Sequence, residues 1–425
     1  MNSNRGIIYI FSILSYICKK FQINYKMSNS LSQRILHMAE SETIKMAQMA
    51  RDLKAKGHDV ISLSLGEPDF DTPDHIKEAA KRALDAGFTK YTPVPGAQEL
   101  REAIVRKFKR DNGLDYSVAE IVVSNGAKQS IANVCMSLLD PGDEVLILSP
   151  FWVSYIEIVR LAEAVPVLIK AGIEQDFKAT AAQLKAALTP RTKLVIFSSP
   201  CNPTGSVFTK NELEALADVI ASQENVYVIS DEIYEYINFT EEGHCSLASF
   251  PQVRDRVITV NGFAKGFAMT GWRLGYIGAP KWIADACSKM QSQITSGANS
   301  FSQQAAAFAL DADKSPSESM RKEFLRRRDM VLGLLREIKG FKVNEPQGAF
   351  YVFPDISYYF GKSNGTTHIK NADDFCDYLM LQAFVGVVSG SAFGDDNCFR
   401  LSYAASEAQL REAIRRIAEV CARLK

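Results

Sequence analysis

The sequence predicts an α/β protein: a three-layer α/β/α large domain on a mostly parallel sheet, joined to a smaller α+β domain. Three observations carry that prediction. From Asp59 to about residue 315, short apolar runs alternate with helical patterns, as in strands linked through crossover helices. The runs are apolar throughout rather than at every second position, which implies strands buried on both faces. Beyond residue 315 the texture changes to charged helices and a few strands, the composition of a separate α+β unit.

In chain order, "MSNSLSQRILHMAESETI" from Met27 has the form of a natural start followed by a helix. Strand candidates follow at "VISLSL", "IVVSNG", "EVLILSP", "KLVIFSSP", "VYVISD" and "VITVNG", each rich in Val and Ile. Among them lie the helical segments "HIKEAAKRALDAG" and "KNELEALADVIASQ". The charged helix "RKEFLRRRDMVLGLLREI" and the strands "GAFYVFPDI" and "FRLSYA" complete the chain. These boundaries give a large domain over 73–315 and a small domain from 27–72 with 316–425. Residues 1–26 then form a non-native or disordered extension. Their apolar run "GIIYIFSILSYICKK" is too short to span a bilayer comfortably, and it lacks the basic start and small-residue cleavage site of a secretory signal.

Lys plus Arg and Asp plus Glu balance at 49 each, so no net field draws nucleic acid or an anionic membrane surface. The expected partners are small molecules. Eight scattered cysteines without C-x-x-C, and five histidines without ligand spacing, argue against zinc and against a disulfide framework. A cytoplasmic, reducing setting fits that pattern.

No two glycines are separated by a single residue, so G-x-G-x-x-G is absent, and G-x-x-x-x-G-K is absent as well. Nicotinamide and P-loop nucleotide chemistry lose their usual cradles. Ligands of such a sheet sit beyond the strand C-termini, and there the runs end in Asn125-Gly126, Phe151-Trp152, Asn202-Pro203, Asp231, and Asn261 leading to Lys265. Lys265 stands in "NGFAKGFAMTGWRLGY" among small and apolar residues, with Arg273 eight positions later. A lysine there needs a reason, because desolvating an unpaired charge costs several kcal/mol or more. The set suits a phosphate-bearing aldehyde cofactor. A lysine amine can hold the aldehyde as a Schiff base, a carboxylate can keep a pyridine nitrogen protonated, and an arginine fork or a helix N-terminus can hold phosphate.

The motifs "SLGEPDF", "KYTPVPGAQELREAI", "SNGAKQS", "SPFWVSY", "SSPCNPTG", "VISDEIYE" and "NGFAKGFAMTGWRLGY", with "EPQGAFY" and "FRLSYA" later, resemble the fold-type I aminotransferases. The likeness is to the bacterial aspartate aminotransferase branch related to plant prephenate aminotransferases, and it runs from about residue 31 to the C-terminus. It implies a pyridoxal 5'-phosphate enzyme, with Lys265 as the internal aldimine lysine and the base for the substrate's α-proton. Asp231 would pair with the pyridinium nitrogen, Asn202 and Tyr234 with the ring's phenolic oxygen, and Trp152 would stack on the ring. Arg273 and the amides of Gly126 and Ala127 would hold the phosphate. Arg400, helped by the backbone at Gly66, would clasp the substrate α-carboxylate. Tyr91 would reach the phosphate of a neighbouring subunit, which implies a homodimer.

Each residue also has an ordinary structural use: Trp152 as core, Asp231 as a helix N-cap, Asn202 as a turn former, and Arg273 and Arg400 as surface ion pairs, although their apolar neighbours weigh against exposure. No arginine lies between Arg273 and Arg321 to take a second substrate carboxylate as in the animal-type branch. In the branch resembled here, Lys128 takes that task, though a lysine at a helix start is also an ordinary solvated residue. Thr43 matches relatives that also accept prephenate, and "HMAE" stands where some relatives carry another lysine. The expected activity is L-aspartate:2-oxoglutarate transamination by ping-pong half-reactions. The alternatives are glutamate- or aspartate-dependent prephenate amination and a pyridoxal phosphate lyase.

Overall fold

The computed structural model describes residues 31–40 and 42–425. The expected extension over 1–26 and the start at Met27 lie outside the described residues. The chain divides at Glu40 into two units. In the first, Ser32 caps the short helix Gln33–His37, its hydroxyl accepting from the Ile35 N–H at 3.4 Å.

The second unit holds twelve strands: β1 Ile61–Ser62, β2 Ile121–Ser124, β3 Glu144–Ser149, β4 Val165–Lys170, β5 Thr192–Ser198, β6 Tyr227–Asp231, β7 Val257–Gly262, β8 Gly275–Gly278, β9 Tyr351–Val352, β10 Val385–Gly386, β11 Val388–Ser389 and β12 Phe399–Ser402. Seven of them build one sheet in the order β2-β8-β7-β6-β5-β3-β4. All its pairings are parallel except those of β8, which runs antiparallel to both β2 and β7. Successive residues of the central strands feed opposite cores. Leu146 and Leu148 of β3, with Val195 and Phe197 of β5, join one cluster; Val145, Ile147, Leu194 and Ile196 join the other. Helices Asp74–Asp85, Gln98–Lys107, Lys210–Ala221 and Ser300–Asp311 cover the first face. Helices Ala127–Leu138, Ser154–Leu161 and Lys281–Ile294 cover the second. Burial on both faces is why the strand sequences are apolar without alternation.

The run "VISLSL" belongs elsewhere. Only Ile61–Ser62 are extended, and they pair in parallel with β10 outside the large sheet. A further core gathers Ile61 and Leu63 with residues of the helices Ser315–Arg336 and Glu407–Cys421 and the small antiparallel sheet β11-β12-β9. Among the described residues no helix is long and apolar enough to cross a membrane. Glu232, Glu235 and His244 bring ligand atoms within 4.8 Å of one another, but a cation already sits there. The fully buried Lys107 is paired with Glu235, and His244 Nε2 lies 2.8 Å from Glu232.

The antiparallel β8 brings three loops to one edge. Its first residue, Gly275, stands opposite both Ser124, at the end of β2, and Gly262, at the end of β7. The close approach requires glycine, because a Cβ at Gly275 would lie 2.2 Å from the Ala127 amide nitrogen. Gly275→Ala is therefore expected to lower the urea unfolding free energy by about 1–3 kcal/mol through forced backbone displacement, measured as a reduced midpoint with unchanged slope.

Candidate active site

Parallel strands end on one edge of a sheet, and the loops that leave β5, β6 and β7 there, with the hairpin into β8, surround a cavity of about 320 Å³. The structure brings eleven of the twelve sequence-selected residues to its walls: Gly66, Gly126, Ala127, Lys128, Trp152, Asn202, Asp231, Tyr234, Lys265, Arg273 and Arg400. Tyr91 is not among them. It is 98% exposed on the loop before helix Gln98–Lys107. That loop is shaped by two buried amides: Gln303 accepts from the Ala97 N–H (2.7 Å) and donates to Thr92 Oγ1 (3.0 Å), and Gln291 donates to the Val94 carbonyl (2.8 Å).

Asp231 is the last residue of β6, opposite Ser198 of β5 and Val260 of β7. It is buried. No regular helix follows it, although its Oδ1 accepts from the Ile233 N–H at 3.3 Å as an N-cap would. Its Oδ2 accepts from the Tyr155 hydroxyl at 2.6 Å. Burial pushes the carboxyl up to about 6, against the lowering effect of the Tyr155 and Ile233 donors.

Lys265 follows the end of β7 by three residues, in a turn held by Thr72, whose hydroxyl donates to the Ala268 carbonyl at 2.7 Å. Its Nζ donates to the Gly66 carbonyl at 2.5 Å. Burial lowers the amine to about 8, with Glu67 and Asp231 opposing and Arg400 and Arg273 assisting. About a tenth of the amine is thus uncharged at pH 7, far more than for a free lysine, and the neutral amine is the form able to attack a carbonyl.

The arginines differ. Arg400, in β12, is 2% exposed; its guanidinium donates to Asn202 Oδ1 (2.9 Å) and to the Ser64 carbonyl (2.5 Å), and its Nε has no partner. A surface ion pair is excluded for it. Arg273, in contrast to the expectation from its apolar neighbours, is exposed. It sits at φ 56° and donates to the Thr270 carbonyl at 2.9 Å. Its side chain lies so close to Gly126 that a Cβ there would meet its NH2 at 2.5 Å. Gly126 has φ 88° and caps helix Ala127–Leu138, whose first amides lack intrahelical acceptors. Guanidinium and helix start together form an anion cradle. Lys128 is exposed, as an ordinary solvated lysine at a helix start would be, yet it stands at the cavity wall with its Nζ 4.9 Å from the centre of the Trp152 ring, where partial desolvation, then Arg273, lowers its ammonium.

Four basic side chains and one carboxylate, among the described residues, line the cavity. Lys265, Arg273 and Arg400 are held by carbonyl or amide oxygens rather than by carboxylates. The cavity therefore favours an anion, and its bare Arg400 Nε and glycine cradle fit a ligand carrying both phosphate and carboxylate. Sequence reasoning missed Tyr155 and Tyr351. Tyr351 lies within "EPQGAFY", and its hydroxyl is 2.7 Å from that of Tyr234. Tyr155 stands three residues after Trp152, one helical turn on; that spacing was the available signal.

A family model described as aminotransferase class I and II matches residues 58–417. The chain is 48% identical over 400 residues to a bifunctional aspartate aminotransferase and glutamate/aspartate-prephenate aminotransferase of Petunia hybrida, covering 93% of this chain and 84% of that one. It is 46% identical over 396 residues to an aspartate/prephenate aminotransferase of Cereibacter sphaeroides, covering 93% and 99%. Among solved structures, the aspartate aminotransferase of Rhizobium meliloti aligns with a TM-score of 0.90 at 43% identity, over 93% of this chain and 99% of that one. That of Thermus thermophilus with maleate aligns with a TM-score of 0.86 at 42% identity, over 92% and 99%. The matched span and these identities show that the chain belongs to the aminotransferase class I and II family.

Proposed function

We propose that the protein is a pyridoxal 5'-phosphate-dependent L-aspartate:2-oxoglutarate aminotransferase that works by ping-pong half-reactions. The observation that carries this reading is the cavity in which a lysine amine lowered to about 8 and a buried carboxylate face a cluster of cations held by neutral oxygens. The cofactor, when bound, supplies the aldehyde that takes up the amino group and a ring that accepts electrons from the substrate's α-carbon. Arg273 and the amides of Gly126 and Ala127 hold its phosphate, Trp152 covers its ring, and Asp231 keeps its ring nitrogen protonated. Asn202 already spends its Oδ1 on Arg400, which leaves its Nδ2 to donate to the ring's phenolic oxygen beside Tyr234. Arg400 binds the substrate α-carboxylate with Gly66 alongside. Lys265 Nζ takes the α-proton, a role that requires the neutral amine.

Lys128 meets the second carboxylate of aspartate. The names of the relatives support a dicarboxylic donor, and the position of the Lys128 ammonium over Trp152, at the cavity wall, supports this residue as its partner. Glutamate- or aspartate-dependent prephenate amination is the second reading, favoured by Thr43 in the cavity wall and by the relatives named for both activities. We further propose a homodimer in which Tyr91 reaches the partner's phosphate site; its exposure and its braced loop support this. The large domain would span 73–315 and the small one 27–72 with 316–425. Seven described cysteines are unpaired, six of them buried, which supports a reducing cytoplasmic setting.

Lys265→Ala is expected to lose transamination while the cofactor still binds non-covalently; wild-type turnover by this variant would refute the assignment. The rate at which cofactor-free protein forms its visible chromophore with pyridoxal phosphate should rise with pH to a midpoint near 8, set by the amine. At pH 7 roughly a tenth of the amine is then neutral, and a midpoint near 10, that of free lysine, would contradict the burial argument. Hydrogen bonds to charged groups contribute about 1.5–3 kcal/mol, so Lys128→Ala should lower kcat/KM for aspartate roughly ten- to hundredfold and leave that for alanine unchanged. Equal losses for both donors would remove Lys128 from substrate recognition.

A further inference from the structure

We infer that Tyr155 is a positioning residue for this reaction, acting through Asp231: its hydroxyl holds one carboxylate oxygen so that the group stays an anionic acceptor for the cofactor's ring nitrogen. This inference rests on the function proposed above. Tyr155 is fully buried, and its hydroxyl donates to Asp231 Oδ2 at 2.6 Å, across 76 residues of sequence. The remaining donor to Asp231 is the Ile233 N–H at 3.3 Å on Oδ1, a long contact for an amide donor. Ile131, Ile147, Ile196, Ile229 and Val260 pack in the cluster that contains Tyr155. In such surroundings a carboxylate keeps its charge only if donors replace water.

The phenol is suited to that task. Burial and the adjacent Asp231 push its own ionisation well above the ordinary tyrosine value, so it remains a proton donor throughout the working pH range. The charged groups bearing on Asp231 are Glu232, next in the chain, and Lys265 from the β7–β8 loop. Glu232 opposes the charge, which increases the need for the hydroxyl. Tyr155 also packs edge-on against Trp152, with ring centres 5.4 Å apart and planes at 85°. One turn of helix Ser154–Leu161 and its preceding residues thus fixes both the indole at the cavity wall and the orientation of the carboxylate.

The test replaces Tyr155 in the holoenzyme and reads the cofactor directly. Wild type and Tyr155→Phe are loaded with pyridoxal phosphate carrying 15N at the ring nitrogen, and the 15N resonance and the pH titration of the visible absorbance are recorded. Without its donor, Asp231 becomes more basic and takes a larger share of the ring proton. The 15N resonance should move toward that of an unprotonated pyridine. A less positive ring makes the imine nitrogen more basic, so the absorbance midpoint should rise by roughly one pH unit, the tenfold change expected for a lost charge-assisted hydrogen bond. Site-specific 3-fluorotyrosine in place of Tyr155, a stronger donor of similar shape, should move both signals the opposite way, and it decides the question if Tyr155→Phe does not fold. A lower unfolding temperature with both signals unmoved would make the bond structural only and overturn the inference while leaving the proposed function intact. A wild-type protein that takes up no cofactor would overturn both.

Discussion

Cations brought together and held by neutral oxygens rather than by ion pairs set the terms for this molecule. Lys265 rests on the Gly66 carbonyl, Arg400 on the Ser64 carbonyl and the Asn202 amide, and Arg273 on the Thr270 carbonyl. Neutral oxygens orient a cation without cancelling it, so the charge remains available to an incoming anion. The arrangement costs folding energy in the absence of ligand, because Arg400 is buried and Lys265 is desolvated beside two arginines. The lowered ionisation of Lys265, Lys128 and Arg400 reflects that cost. At Lys265 the same cost favours the neutral amine.

The fold supplies the rigidity such a cluster needs. Strands buried on both faces cannot slide without moving side chains from one core into the other, so the edge where β5, β6 and β7 end is fixed. The antiparallel β8 returns the chain to that same edge, which explains the spacing of Lys265 and Arg273. Both lie in the connection between Gly262 and Gly275, two glycines that stand opposite each other. The glycine at 275 lets the start of helix Ala127–Leu138 approach closely enough for Gly126 to meet the Arg273 guanidinium. The start of that helix and the Arg273 side chain thus close on each other around a glycine that leaves no room for a Cβ.

Much of this is legible in the chain because the site residues stand in short motifs at strand ends. Composition sufficed for the layered sheet, since strands buried on both faces must be apolar throughout. What stayed hidden depends on partners distant in sequence. "VISLSL" has strand composition, yet its partner is β10, more than 300 residues later, and nothing local reveals that. The four residues of β8 are too short for a pattern, and their antiparallel direction follows only from pairing with β2 and β7. Arg273 has apolar neighbours, yet it is exposed at the cavity wall with a backbone φ of 56° that nothing in its neighbours' composition announces. Tyr155 looks like core in any helical pattern; its role emerges only once Asp231 is seen 2.6 Å from its hydroxyl.

Borohydride reduction of the purified protein, followed by digestion and mass mapping, tests most directly the idea that the unneutralised cluster is built for a phosphorylated aldehyde. Reduction locks a Schiff base into a stable amine and records which nitrogen carried it. The expected result is a phosphopyridoxyl group on the peptide containing Lys265 and on no other lysine. The same group on Lys128, or an unmodified Lys265 in protein saturated with pyridoxal phosphate, would contradict it.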